Sequence, residues 1–130
     1  MVTWRTSPWF KVMRFGFCPN KDMWDVLRAE VLGDCHINIG DYPVNDGTAG
    51  MTTNWRDSTG TRHCLVTLAD WLDTEPLELA STIAHECVHL ATRLTEAMQD
   101  DEPSEEFMAY VVGGFVRDIA EDHSSSRLAS

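Results

Sequence analysis

Apolar residues recur along this chain with two different periods, and the switches between them divide it into short strands and longer helices. Residues 10–17, F-K-V-M-R-F-G-F, have strand-type composition with imperfect alternation, which predicts a strand ending at Cys18 and Pro19. Asn20 then offers an N-cap for a helix carrying Trp24, Leu27 and Val31 on one side, with Gly33 just past its end. The segment C-H-I-N-I-G puts Cys35, Ile37 and Ile39 on one face and reads as a further strand. Residues 40–60 hold Gly, Pro, Asn and Asp at turn-forming density, with room for a short strand near Met51 to Arg56. T-R-H-C-L-V-T-L, residues 61–68, is a clear strand by its β-branched and apolar content.

Two helices close the chain. The first is expected from about Thr74 to Met98, capped by Asp73 or Thr74, with Glu75 and Pro76 in its first turn. Leu77, Ala80, Ala84, Cys87, Val88, Ala91 and Leu94 form its apolar stripe. An acidic connector, Q-D-D-E-P, leads to the second, expected from near Ser104 to about Asp122. The predicted fold class is α+β: a small, mostly antiparallel sheet on the first of these helices, with one helix before it and one after.

Length changes the picture only by limiting it. With 130 residues the chain forms one domain spanning 1–130, whose first nine residues and last seven (124–130) are expected to fray. A 43% apolar fraction with five tryptophans is that of a packed globular protein, and no run approaches the roughly 20 apolar residues of a membrane span. The start lacks the apolar run and cleavage site of a secretory signal, so a cytoplasmic location is expected. Cys18, Cys35, Cys64 and Cys87 are widely spaced in a chain able to build its own core, and are expected to be free thiols. A formal charge of −11 without a Lys/Arg cluster repels a phosphate backbone and excludes nucleic-acid binding, while leaving open the role of an acidic nucleic-acid mimic.

Candidate chemistry sits in the middle of the stronger helix, in T-I-A-H-E-C-V-H-L. His85 and His89 are four residues apart, so on a helix both imidazoles point the same way one turn apart, and Glu86 projects beside them. Zinc suits neutral imidazole nitrogens, and a set of two histidines and one carboxylate leaves a fourth position for water. The expectation is one zinc ion whose water loses its proton to Glu86, as hydrolysis of a peptide bond requires. By chance the three specified positions arise on the order of a few times per thousand chains of this length.

A third protein donor must come from outside this helix. No remaining histidine has the short downstream spacing of the all-histidine sites. The last helix opens S-E-E-F-M-A-Y-V-V-G-G-F-V. Glu106 shares a face with Ala109, Tyr110 and Gly113, whereas Glu105 lies over Met108, Val112, Val116 and Ile119. The small residues of the first face would allow close approach to the motif helix, which favours Glu106 with Glu105 as its rival. A solvated first turn compensating the helix dipole is the plainer role for either. Tyr110 is a candidate hydrogen-bond donor to a developing oxyanion, with His63 and Tyr42 as weaker ones.

H-E-C-V-H followed by Glu106-Phe107-Met108-Ala109-Tyr110, an E-x-x-A-Y run, resembles the small gluzincin-type, zincin-like metallopeptidases encoded by tailed bacteriophages. The likeness extends to Cys18-Pro19 with Trp24 and to Tyr42-Pro43 with Asp46-Gly47, but only the metal motif is specific. The resemblance implies a zincin core with a sheet over the motif helix, and the E-x-x-A-Y carboxylate as third ligand. It also implies an edge strand, 61–68 or 51–56, able to pair with an extended peptide substrate. Trp55 and Trp71 flank that expected cleft. Cys35-His36 and His63-Cys64 are a much weaker candidate for a second metal site, and Cys87 belongs to the core. The competing non-enzymatic expectation is a phage accessory or assembly protein in which zinc ties two helices together.

Overall fold

The computed structural model describes residues 2–7 and 12–129. Its strands are β1 (Thr3–Thr6), β2 (Met13–Cys18), β3 (Gly50–Arg56) and β4 (Arg62–Leu68), and its α-helices are α1 (Lys21–Cys35), α2 (Pro76–Ala97) and α3 (Glu105–Leu128). The α+β class is as expected, with a mixed sheet ordered β1-β2-β4-β3. The β1/β2 and β3/β4 pairs are antiparallel and β2/β4 is parallel, so α1 and β3 form the crossover that returns the chain alongside β2.

Strand alternation explains why the sheet is covered on both faces. Met13, Phe15 and Phe17 of β2 and Cys64, Val66 and Leu68 of β4 pack with Ile83, Cys87, Leu90, Ala91 and Leu94 of α2 and with Val111, Phe115 and Ile119 of α3. The intervening positions, Cys18, Trp55 and Leu65, pack with Trp24, Leu27 and Val31 of α1. Each fully buried large side chain contributes roughly 1.5–3 kcal/mol, so the α2/α3 face is the main store of stability.

The helix ends follow local chemistry, and several differ from expectation. Asn20 caps α1 as predicted, its side-chain oxygen accepting from Met23 N at 2.9 Å. Gly33 does not end this helix. It continues to Cys35, where His36 takes a left-handed conformation (φ 58°) and its N–H donates to Leu32 O. The expected strand at 35–40 is consequently absent: Ile37 and Ile39 lie in a loop against the α1 cluster, and Gly40 O accepts from Trp24 Nε1 at 2.9 Å. Their alternation reflects a loop laid along apolar surface rather than a ladder.

Asp73 and Thr74, expected as caps, belong to a 3-10 turn (Asp70–Thr74), and α2 starts at Pro76 after Glu75, whose side chain makes no capping bond. Ser104 caps α3 by accepting from Phe107 N at 3.1 Å.

Within the segments expected to fray, residues 1, 8, 9 and 130 lie outside the described residues, and the described parts are joined to the rest of the fold. Thr3–Thr6 pair with Arg14–Phe17, and Arg5 donates to both carboxylate oxygens of Asp122 at 2.9 and 2.8 Å, joining β1 to α3. At its other end α3 continues through residues 124–128, held by Arg127 on Asp73 (2.7 Å) and on Pro19 O (3.2 Å). The expected strand at 10–17 begins at Met13, while Phe10 and Lys11 lie outside the described residues.

Candidate metal centre

Helix α2 lays one side on the sheet and turns the other to solvent, and the motif straddles the boundary. Cys87 and Leu90 point into the core, Glu86 is 4% exposed, and His85 and His89 are on the open face. Burial pushes the Cys87 thiol up to about 12, so it stays protonated and belongs to the core, as expected. Four-residue spacing brings the imidazoles together. Their rings lie 5.0 Å apart at 75°, and the two Nε2 atoms are separated by 3.3 Å.

That separation tests the fit of the donors to a metal. Two nitrogens each about 2.0–2.1 Å from a tetrahedral zinc subtend a gap of ~3.3–3.4 Å, so the pair needs little rearrangement to share one ion. Glu86 lies alongside, with Oε2 3.9 Å from His85 Nε2. Its other oxygen accepts a hydrogen bond from Thr52 Oγ1 of β3 at 2.8 Å, and the same hydroxyl lies 3.3 Å from Glu86 O. A buried carboxylate tied to one strand through one oxygen is held in orientation while its other oxygen remains for another partner.

The approach of α2 to β3 depends on Gly50. A Cβ there would stand 2.6 Å from Thr82 Cγ2 and 3.2 Å from Glu86 Cγ, so glycine is what lets the helix lie this close to the strand. Of the two candidate edge segments, β3 is the sheet edge and β4 is interior. Gly50 and Thr52 escaped the sequence reading. Neither residue type is a motif, and their only signal was a possible short strand beside a metal motif.

Elsewhere the structure rearranges the expected site. Glu106 is exposed in the first turn of α3, and Glu105 is exposed as well. The face chosen for close approach does not pack: Ala109 is exposed, Tyr110 is 68% exposed, and a Cβ on Gly113 would meet nothing within 4 Å. The packed side carries Val111, Phe115 and Ile119 instead, because burial follows the large apolar residues and not the small ones. Among the described residues no group of three or more His, Cys, Asp or Glu side chains is gathered to hold a metal ion.

His63 and Tyr42 lie on the α1 side of the sheet, opposite α2. His63 alternates with Cys64 on β4 and stacks on Trp55, and Tyr42 packs edge-on against Trp24, with burial pushing its hydroxyl up to about 12. Trp55 therefore lines no cleft at the motif, and Trp71 donates its indole N–H to Asn45 O. The second metal site suggested by Cys35-His36 and His63-Cys64 does not form, since Cys64 packs with α2 and α3 while Cys35 packs on the α1 side. All four cysteines are free thiols. No described helix is long and apolar enough to cross a membrane.

Compared with known proteins, the chain matches no family model, no curated protein and no solved structure.

Proposed function

We propose that this protein is a zinc-dependent hydrolase of peptide bonds, with His85 and His89 as two ligands of one ion and Glu86 as the base. The observation that carries the reading is the 3.3 Å gap between the two Nε2 atoms beside a buried carboxylate aimed by Thr52. A bound zinc would supply Lewis acidity, polarising the scissile carbonyl and making a water acidic enough to react at neutral pH. Glu86 takes the proton of that water and delivers it to the leaving amine. Thr52 keeps one carboxylate oxygen occupied, so the other is the one presented to the reacting water. Glu106 enters as third ligand, and Tyr110 as oxyanion donor, on the E-x-x-A-Y pattern alone.

The competing reading is a closed, structural ion that ties two helices together. β3, an edge strand carrying the residue that aims Glu86, is the natural rail for an extended peptide. The test separates binding from turnover. Glu86→Gln is expected to retain one zinc per chain and lose cleavage of a peptide library, and His85→Ala to lose both. Full cleavage by Glu86→Gln would end the proposal.

A further inference from the structure

The groove between α2 and β3 does not end at the histidines. Thr52, Asn54 and Arg56 alternate onto the α2 side of β3, and their partners across the ladder, Val66, Cys64 and Arg62, point the same way. Past His89 this row becomes cationic. Arg56 and Arg62 are register partners at the end of the hairpin, and Arg93 follows His89 on α2 by one turn. The two strand arginines, with Glu96, Ala97 and Gln99, line a cavity of about 400 Å³.

The charges there do not cancel. Arg93 donates to both oxygens of Glu96, at 2.8 and 2.9 Å, so that acid is answered within its own helix. Arg62 is held in place by Asn54 Oδ1 at 2.9 Å, and its Nη2 lies 3.9 Å from Glu96, beyond hydrogen-bond reach. Arg56 is exposed and, among the described residues, makes no ion pair. Asp57, next in the chain, is engaged by Thr59, Thr61 and His63, and Asp100 and Asp101 do not line the cavity. Three arginines gathered around one glutamate make a local surplus of positive charge in a chain of formal charge −11.

Glu96 lies about 10 Å beyond His89 along the helix, at about 1.5 Å per residue. An extended peptide advances about 3.3 Å per residue, so a chain on β3 with one carbonyl at the motif brings a side chain to the cavity about three residues away. We propose that this cavity is a specificity subsite for an acidic side chain of the substrate, its carboxylate taken by Arg56 and Arg62, an inference that rests on the hydrolase reading because that reading lays a peptide along β3. A guanidinium presents paired donors that match the two oxygens of a carboxylate, and Arg56 surrenders no existing partner to accept one. A basic residue at the same place meets like charge.

The experiment compares matched library peptides that carry glutamate, glutamine or lysine about three residues to either side of the cleaved bond. Cleavage is read as kcat/KM on the zinc-loaded wild type, and binding by fluorescence anisotropy on Glu86→Gln, where the peptide stays intact. Glutamate is expected to exceed glutamine by about fivefold, the upper end for a solvent-accessible ion pair, with lysine below both. Arg56→Gln should lose most of the preference and Arg56→Glu should turn it toward lysine. Arg117→Gln, the same charge change on the exposed surface of α3, should keep it. At about 1 M salt, where charges are screened within about 3 Å, the preference should flatten. Tighter binding of glutamate peptides without cleavage of any peptide keeps the subsite and removes the hydrolase reading, whereas cleavage indifferent to the three residues removes the subsite alone. Equal binding of all three, or none, overturns the proposal.

Discussion

Replacing Gly50 by alanine tests whether the spacing between α2 and β3 is what aims Glu86. The new methyl would sit 2.6 Å from Thr82 Cγ2, 3.2 Å from Glu86 Cγ and 3.3 Å from Leu68 Cδ2. Ordinary carbon contacts lie at about 3.5–4.0 Å, so helix and strand must part by ~1 Å. Overpacking of this kind costs about 1–3 kcal/mol. Parting also stretches the 2.8 Å bond from Thr52 to the Glu86 carboxylate, and hydrogen bonds to charged groups are worth about 1.5–3 kcal/mol. Because the two effects share one displacement, the expected total is about 2–4 kcal/mol. Urea denaturation of the metal-free protein reads it directly: with m of about 2 kcal/mol/M, the midpoint should fall by roughly 1–2 M. Gly113→Ala is the control, since nothing lies within 4 Å of its Cβ position and alanine in an exposed helix is favoured by about 0.5–1 kcal/mol. A Gly50→Ala protein as stable as wild type would refute the close-approach argument, whatever its activity.

Other expectations follow from single contacts. Thr52→Val should lower turnover by roughly 10–100-fold while leaving zinc bound, and Thr52→Ser should restore most of it; kcat and zinc content are the readouts. Asp57 is held well below the usual carboxylate range, first by the Thr59 hydroxyl and then by His63. Its contribution to stability is therefore complete above the ordinary Asp value and lost as pH falls below about 4, so Asp57→Asn should be less stable than wild type at pH 7 with a gap that closes in acid. Burial raises Cys18 to about 11 and Cys64 and Cys87 to about 12. A thiol reagent at pH 8 should accordingly label Cys35 alone in the native protein and all four cysteines in urea.

What the sequence disclosed was whatever depends on neighbours along the chain. Four-residue spacing put His85 and His89 on one side of α2, and capping chemistry located Asn20. The apolar stripe was drawn partly on the wrong side: Leu77, Ala80, Ala84 and Val88 are exposed, and Ile83, Leu90, Cys87, Ala91 and Leu94 face the core, because burial follows the sheet and α3 rather than every apolar position. What it concealed depends on partners far away. β1 exists because Thr3–Thr6 find β2, and the last turns of α3 persist because Arg127 reaches Asp73, fifty-four positions distant. Small residues on α3 suggested close packing, but Gly113 stands in open space, while the glycine that does permit close approach, Gly50, sat unnoticed in a turn-rich stretch. A periodic pattern reports which side of a helix is buried; it does not report against what. For the same reason His63, read as a weaker candidate for the oxyanion donor, belongs to the opposite face of the sheet, stacked on Trp55.

The central claim is that two imidazole nitrogens 3.3 Å apart share one cation. Zinc per chain, measured by elemental analysis after dialysis against trace zinc, tests it in the wild type and in His89→Ala. The account predicts one equivalent in the wild type and none in the variant. An empty wild type, or a full equivalent retained without His89, would contradict it.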